Sequence, residues 1–300
     1  MRCFVMINGG TGKSIMATAM MPLLKKKYEE VYVCSPYADV FKACSYVDEA
    51  FLPGQPNIYR DLLLDDDVEL LCREPYQNAR FIRKECHLFE AWAEEWGLEL
   101  EQDPMTMHPV LDKWDEFAQL LQTYKNMRDG WGDFMIVQFC GGQSPLTPNL
   151  QESAYNDHVE GLRRNYYKGA ELIKLLKEAY PRTQIVHYAL PNEPSYEGTI
   201  KVELPYLVYR KACEEAKAVI TIDSSLQHLA AGACDKTVVI WGETAPEHFG
   251  YYCHRNLREK NIKNTQAYFQ PLGSSPTRVP FPEPAAIMQE VQKILTSEDC

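Results

Sequence analysis

The sequence predicts an α/β fold in two domains with parallel sheets, and three observations predict it. An apolar run, Cys3 to Ile7, passes through Asn8-Gly9-Gly10-Thr11-Gly12 into an amphipathic stretch and then a second apolar run, Val31 to Cys34, which is a strand–helix–strand unit. The same alternation starts again at Phe134. The chain has 300 residues, more than one hydrophobic core usually fills.

Taken in order, the first strand covers Cys3–Ile7, and a helix follows from about Lys13 to Tyr28. Residues 36–45 and the apolar 50–53 repeat the helix and strand in shorter form. Residues 56–128 read as mostly helical, rich in aromatics and acids, as in LFEAWAEEWGLEL (88–100). RDGWGD (128–133) reads as a linker, and Phe134–Phe139 as a strand ending in CGGQ. Residues 143–156, rich in Pro, Ser and Asn, read as loop. Then come a helix (167–179), a strand (184–190), a helix (205–216), a strand (218–222), a helix (224–233) and a strand (237–241). Residues 242–283 read mostly as loop, and an amphipathic helix from Pro284 to about Leu295 closes the chain. The expected domains are 1–130, with a helical insertion at about 56–128, and 131–283, followed by a closing helix and tail at 284–300.

Composition narrows the function. The formal charge is −11. Residues 1–130 hold 14 Lys+Arg against 22 Asp+Glu, or −8, and the remainder 17 against 20, or −3. Generic nucleic-acid binding needs clustered cations and is disfavoured. Ten scattered cysteines with no CxxC pattern fit reduced, mostly buried thiols rather than a disulfide framework or a zinc site. The N-terminal apolar run is too short for a signal peptide, and no stretch approaches the ~20 apolar residues of a membrane span. A cytoplasmic protein without a transmembrane segment is expected.

Asn8-Gly9-Gly10-Thr11-Gly12-Lys13-Ser14 invites comparison with a P-loop, but the first glycine of that pattern falls at Ile7. The run resembles the variant P-loop of the MinD/ParA class of ATPases, in which a lysine precedes the glycines, with Asn8 at that lysine's position. An alternative function is therefore an ATPase of that class. The glycines also allow a simpler reading, in which backbone N–H groups and a helix start face a phosphate or a developing oxyanion. Gly12 and Lys13 are the candidates there.

The richest segment is AVITIDSSLQHLAAGACDKTVVIWGETAPEHFGY (218–251). An apolar strand ends in Asp223, Ser224 can cap the next helix, and His228 follows one turn in. The second strand ends in Trp241-Gly242, with Thr244 and Pro246 after it. Carboxyl ends of parallel strands are where α/β folds bind ligands. Backbone amides at Ser224 and Ser225, with His228, suit a pyrophosphate.

This segment resembles the donor signature of glycosyltransferase family 9, the ADP-heptose:lipopolysaccharide heptosyltransferases. The matching residues are Asp223, Ser224, His228, Leu229, Ala230, Ala231, Trp241, Gly242, Thr244 and Pro246; Ser225 stands where the family usually has Gly. The N-terminal strand, glycine turn and helix with Pro22, the strand MIVQFCGG (135–142), RRNYYKGAELIKLL (163–176) and the closing helix after FPEP fit as well. The resemblance implies a GT-B fold, two Rossmann-like domains facing each other across a cleft. It implies sugar transfer from an ADP- or UDP-type nucleotide sugar to a hydroxyl, with inversion and without a metal or other cofactor. Donor contacts would come from Gly12, Gly141, Gly142, Arg164 (or Arg163), Glu193 (or Glu197), Asp223, Ser224, Ser225, His228 and Thr244, and the catalytic positions would be Lys13 and His228.

Lys13 occupies the place of the family's Asp, the proposed general base. A lysine with an ordinary pKa near ~10 cannot play that part. Asp39, Glu74 and Glu85 are the candidate replacements; otherwise Lys13 binds phosphate, or the chain is a degenerate protein that binds a nucleotide sugar without turnover. The acceptor is either a glycan such as lipopolysaccharide core or a hydroxymethylated DNA base. For the latter, Arg73, Arg80 and Lys84 fall at helical spacing, with Arg80 and Lys84 as acceptor-binding candidates. Asp65-Asp66-Asp67 reads as a solvated turn rather than a metal-binding motif.

Overall fold

The computed structural model describes residues 1–55, 58, 62–113, 117–141, 165–191, 193–242, 244–260 and 280–296. The chain forms two compact units, Met1–Ala118 and Gln119–Cys300.

The first unit is built on a four-stranded parallel sheet. Its strands are β1 (Arg2–Met6), β2 (Glu30–Cys34), β3 (Glu49–Phe51) and β4 (Val68–Leu71), in the order β3-β2-β1-β4. The near-continuous burial of Cys3–Val5 and of Val31 and Val33 is what a strand covered on both faces requires. The expected single helix from Lys13 to Tyr28 is interrupted. Helices Thr11–Ala17 and Met21–Lys27 flank a 3₁₀ turn at Thr18–Met20. Pro22 is the cause, since it lacks an N–H and its ring crowds the carbonyl one turn back. Thr18 uses the break: its hydroxyl donates to the Ile15 carbonyl at 2.7 Å and accepts from the Val110 amide at 3.0 Å.

The reading of 56–128 as mostly helical needs correction. Val68–Leu71 is a strand that pairs with β1 in register, Arg2 beside Val68. The Asp65–Asp67 turn leads into it, with Asp65 paired to Arg2 at 2.6 Å. The helix Leu88–Trp96 is present, opened by a capping box of His87 and Glu90 and closed by Gly97 at φ 61°.

The second unit carries six parallel strands: β5 (Phe134–Val137), β6 (Gln184–Tyr188), β7 (Ile200–Val202), β8 (Val219–Ile222), β9 (Thr237–Trp241) and β10 (Arg255–Arg258). Their order is β10-β9-β8-β5-β6-β7. This is the doubly wound Rossmann arrangement, in which the chain starts in the middle and winds first one way, then the other. The reversal falls between β5 and β8. In the first unit the corresponding reversal falls between β1 and β4. The helices Gly169–Ala179 and Pro284–Thr296 bring Leu172, Ile173, Leu176, Ile287, Val291 and Ile294 into one apolar cluster with the sheet residues Val137, Ile185, Ile220 and Ile240. β7 and β10 were not expected from the sequence. Both are edge strands, short and only partly covered, so neither carries the apolar run that marks a central strand.

Seven of the nine described cysteines are buried, Cys253 is half-buried and Cys72 is exposed, and all nine are free thiols. Burial pushes the Cys3 and Cys44 thiols up to about 12. No helix among the described residues is long and apolar enough to cross a membrane.

Candidate active site

The second unit gathers its polar residues at the carboxyl edge of the sheet, beside the reversal. β8 runs straight into Asp223. Ser224 is extended (φ −153°, ψ 179°) and caps the helix Ser225–Ala230, accepting from the Leu226 amide at 3.3 Å. Its hydroxyl also donates to Gln138 Oε1, which accepts a second bond from Thr221 Oγ1 at 3.3 Å. Gln138 lies just past β5, so this link joins the ends of the two strands that flank the reversal. Gln227 Nε2 donates to Asp223 Oδ1 at 2.6 Å and orients that carboxylate. Asp223 and Ser224 are 4% and 7% exposed. Gln138 and Gln227 were not singled out in the sequence; a polar residue ending the apolar run MIVQ is the signal that marks the first.

His228 is buried and has a polar partner. Its Nδ1 lies 2.9 Å from the Tyr251 hydroxyl, and the two rings meet edge-on. Burial drives the Tyr251 phenol well above its ordinary range, so it stays protonated. Thr244 follows β9, and its buried Oγ1 has no hydrogen-bond partner among the described residues. A buried hydroxyl left unmatched costs roughly 1–3 kcal/mol, which a ligand oxygen would recover. Ser225 is half-buried at the start of its helix.

Arg210 supports this edge from the other end of the same helix. Its guanidinium donates to the carbonyls of Leu229 (3.0 Å), Ala231 (2.9 Å) and Gly232 (3.1 Å). Those are carbonyl groups that a helix end leaves without intrahelical partners.

Glu193 sits in the loop after β6, the second strand of the unit. Rossmann folds place there the acid that accepts from ribose hydroxyls. It is buried, and its Oε2 accepts from the Leu190 amide at 2.8 Å. Burial pushes its carboxyl up to about 7. Glu197, the other candidate, is exposed. Gly141 does not present a bare amide: its N–H donates to Asn165 Oδ1 at 3.1 Å. Gly142, Arg163 and Arg164 lie outside the described residues.

The first unit has its own polar edge at the β1/β4 reversal. Lys13, in the first turn of the helix after the glycines, places Nζ 2.6 and 2.5 Å from the two carboxylate oxygens of Glu74, which lies just past β4. The ammonium also stands 5.1 Å from the centroid of the Tyr76 ring. Burial lowers the Lys13 pKa, against the opposite pull of Glu74. Gly9 has φ 111°, and a Cβ there would come within 3.2 Å of Lys13 Cδ, so glycine makes room for the lysine stem. Gly12 is half-buried beside it. Asp39 is exposed and paired with Lys42 at 3.1 Å, and Glu85 is exposed. The structure thus brings Lys13 together with Glu74 and with neither of the other two acids.

The basic stripe expected of Arg73, Arg80 and Lys84 does not form. The helix there is only Ala79–Ile82, capped by Asn78, and Lys84 lies beyond it in the left-handed region at φ 64°. Arg80 is engaged by Glu94 and by Glu90 (3.4 Å), which offsets its charge. Among the described residues no three His, Cys, Asp or Glu side chains come together as a metal-binding group.

Residues 201–271, which span Asp223 to Thr244, match the family profile described as "Glycosyltransferase family 9 (heptosyltransferase)". Over this stretch the chain is similar to glycosyltransferase family 9. Solved structures agree on the fold. A glycosyl transferase family 9 protein from Veillonella parvula superposes with a TM-score of 0.59 at 15% identity, covering 98% of this chain and 97% of that one. The E. coli heptosyltransferase WaaC with ADP gives 0.56 at 13%, covering 98% and 100%. The iron-containing heptosyltransferase TibC, in complex with ADP-D-beta-D-heptose, gives 0.57 at 11%, covering 98% and 76%. The two units are therefore the two Rossmann-like halves of a GT-B fold. No curated protein matches the chain by sequence.

Proposed function

We propose that this protein is a family 9 glycosyltransferase that transfers a sugar from an ADP-heptose-type donor to a glycan hydroxyl, with inversion at the anomeric carbon and without a metal. One observation carries the reading: at the strand reversal of a Rossmann unit Ser224 is bonded to Gln138, and the adjacent Asp223 is held by Gln227, with Asp223, Ser224 and Gln227 inside the stretch similar to family 9. Ligands of such folds bind at that place.

Each residue then has a part. The amides of Ser224 and Ser225 and the Thr244 hydroxyl face the donor diphosphate, and Glu193 accepts from the ribose. His228, oriented by Tyr251, donates to the diphosphate as it takes on charge. The ADP-containing neighbours support this choice of nucleotide. The −8 charge of residues 1–130 and the neutralised Arg80 favour a glycan acceptor over DNA. The ATPase alternative is disfavoured because Lys13 is held by Glu74 rather than presented to a triphosphate.

The test is a thermal shift with ADP-heptose. It raises the melting temperature of the wild-type protein, and Asp223→Ala and His228→Ala abolish the increase. An equal shift in both variants would show that the donor binds elsewhere.

A further inference from the structure

We propose that Glu74 is the base that removes the proton from the acceptor hydroxyl, and that Lys13 is the residue that positions it. This rests on the transferase reading above and adds its missing group. Three observations lead to it. β1 and β4 flank the reversal of strand order, and the loops leaving such a pair diverge to form a ligand position. One loop delivers Lys13 and the other Glu74, residues 61 positions apart. Lys13 stands where the family resemblance puts a carboxylate, and the structure supplies that carboxylate from a different strand.

The pair is also asymmetric in the useful sense. The Lys13 side chain is 6% exposed and the Glu74 side chain 29%, so the carboxylate is the partner that meets solvent or an acceptor. Lys13 contacts both carboxylate oxygens, and the Tyr76 amide donates to Oε1 at 3.2 Å. These contacts fix the carboxylate plane. A buried ammonium is costly unless paired, so Lys13 in turn depends on Glu74. Gly9 keeps the space that the lysine stem fills.

The step balances as follows. An acceptor oxygen lone pair forms the new bond to the anomeric carbon, and the bond from that carbon to the diphosphate oxygen breaks. Its electron pair leaves with ADP. The acceptor proton passes to a Glu74 oxygen and later to water. The acceptor oxygen turns acidic as its bond to carbon forms, so a carboxylate can take its proton.

The experiment follows ADP release from ADP-heptose, with water as the acceptor, beside calorimetric binding of the same donor. Glu74→Gln is expected to slow turnover by about 100-fold or more while the donor Kd stays within about twofold. Glu74→Asp, which keeps a carboxylate, is expected to retain more turnover than Glu74→Gln at an equal melting temperature. Lys13→Met should reduce kcat and leave donor Kd unchanged. Moving the carboxylate, in Lys13→Asp/Glu74→Lys, should recover turnover lost in Glu74→Gln. Wild-type turnover in Glu74→Gln overturns the assignment, as does a relocated pair that binds donor and turns over no faster than Glu74→Gln. Wild-type protein that binds ADP-heptose and releases no ADP overturns the base and leaves the donor site standing. Wild-type protein that binds no ADP-heptose overturns the transferase reading and the base with it.

Discussion

Gln138 and Ser224, 86 positions apart in the chain, are joined by a hydrogen bond from the serine hydroxyl to the glutamine carbonyl oxygen. The bond closes the strand reversal of the second unit, because Gln138 follows β5 and Ser224 follows β8. Gln138 Oε1 serves two hydroxyls at once, those of Ser224 and Thr221. Gln138→Ala leaves both without that acceptor, at a cost of about 1–3 kcal/mol. A melting temperature several degrees lower, together with weaker ADP-heptose binding, is the expected result in a thermal-shift series.

Arg210 is the second support of that edge. Arg210→Met removes three bonds to the carbonyls of Leu229, Ala231 and Gly232 from a half-buried side chain. Chemical denaturation should show a loss of about 3 kcal/mol, and Arg210→Lys should recover only part of it, since an ammonium lacks the planar fork.

His187 and Glu193 give opposing pH dependences. Burial lowers the His187 pKa to about 4, between the rings of Phe139 and Tyr196. The unfolded chain then binds more protons than the folded one from about pH 6.5 down to about 4, so this residue costs stability as pH falls through that window. Glu193, raised to about 7, does the reverse: the folded state holds the extra proton between about 4.5 and 7, and stability is lost as pH rises through that window. In the wild-type protein the two slopes largely cancel. Urea midpoints of Glu193→Gln should rise with pH between about 4.5 and 6.5, and those of His187→Phe should fall. Parallel curves for the two variants would refute the burial of one or the other.

Gly169 opens the helix Gly169–Ala179 against an aromatic cluster. A Cβ there would lie 2.7 Å from Phe139 Cδ2 and 2.8 Å from the Tyr196 hydroxyl. Those rings are packed on each other and on His187 and cannot step aside cheaply. Gly169→Ala should therefore cost about 1–3 kcal/mol in equilibrium unfolding, the reverse of the usual gain from alanine in a helix.

The central strands were legible because they are apolar throughout: β1, β2, β5, β8 and β9 each stand out as a short hydrophobic run bounded by turn residues. The Asp223–Thr244 segment was legible because its cap, histidine and small helix residues are close in sequence. β4, β7 and β10 were not, since an edge strand needs only half a hydrophobic pattern and VELL, IKV and RNLR carry little of one. The Lys13–Glu74 and Gln138–Ser224 contacts were hidden for another reason. Each joins loops from strands that neighbour only through sheet order, which no local spacing encodes. The stripe of Arg73, Arg80 and Lys84 failed because its helix stops after Ile82, before the spacing can act.

Cys72 is the exposed member of the nine described thiols and sits at the end of β4, two residues before Glu74. Because the buried cysteines are shielded, a maleimide fluorophore added to the folded protein has Cys72 as its open point of attachment among them. Among the described cysteines Cys72 thus places a reporter at the first unit's carboxyl edge, where a change in emission on adding a glycan tests the proposed acceptor position.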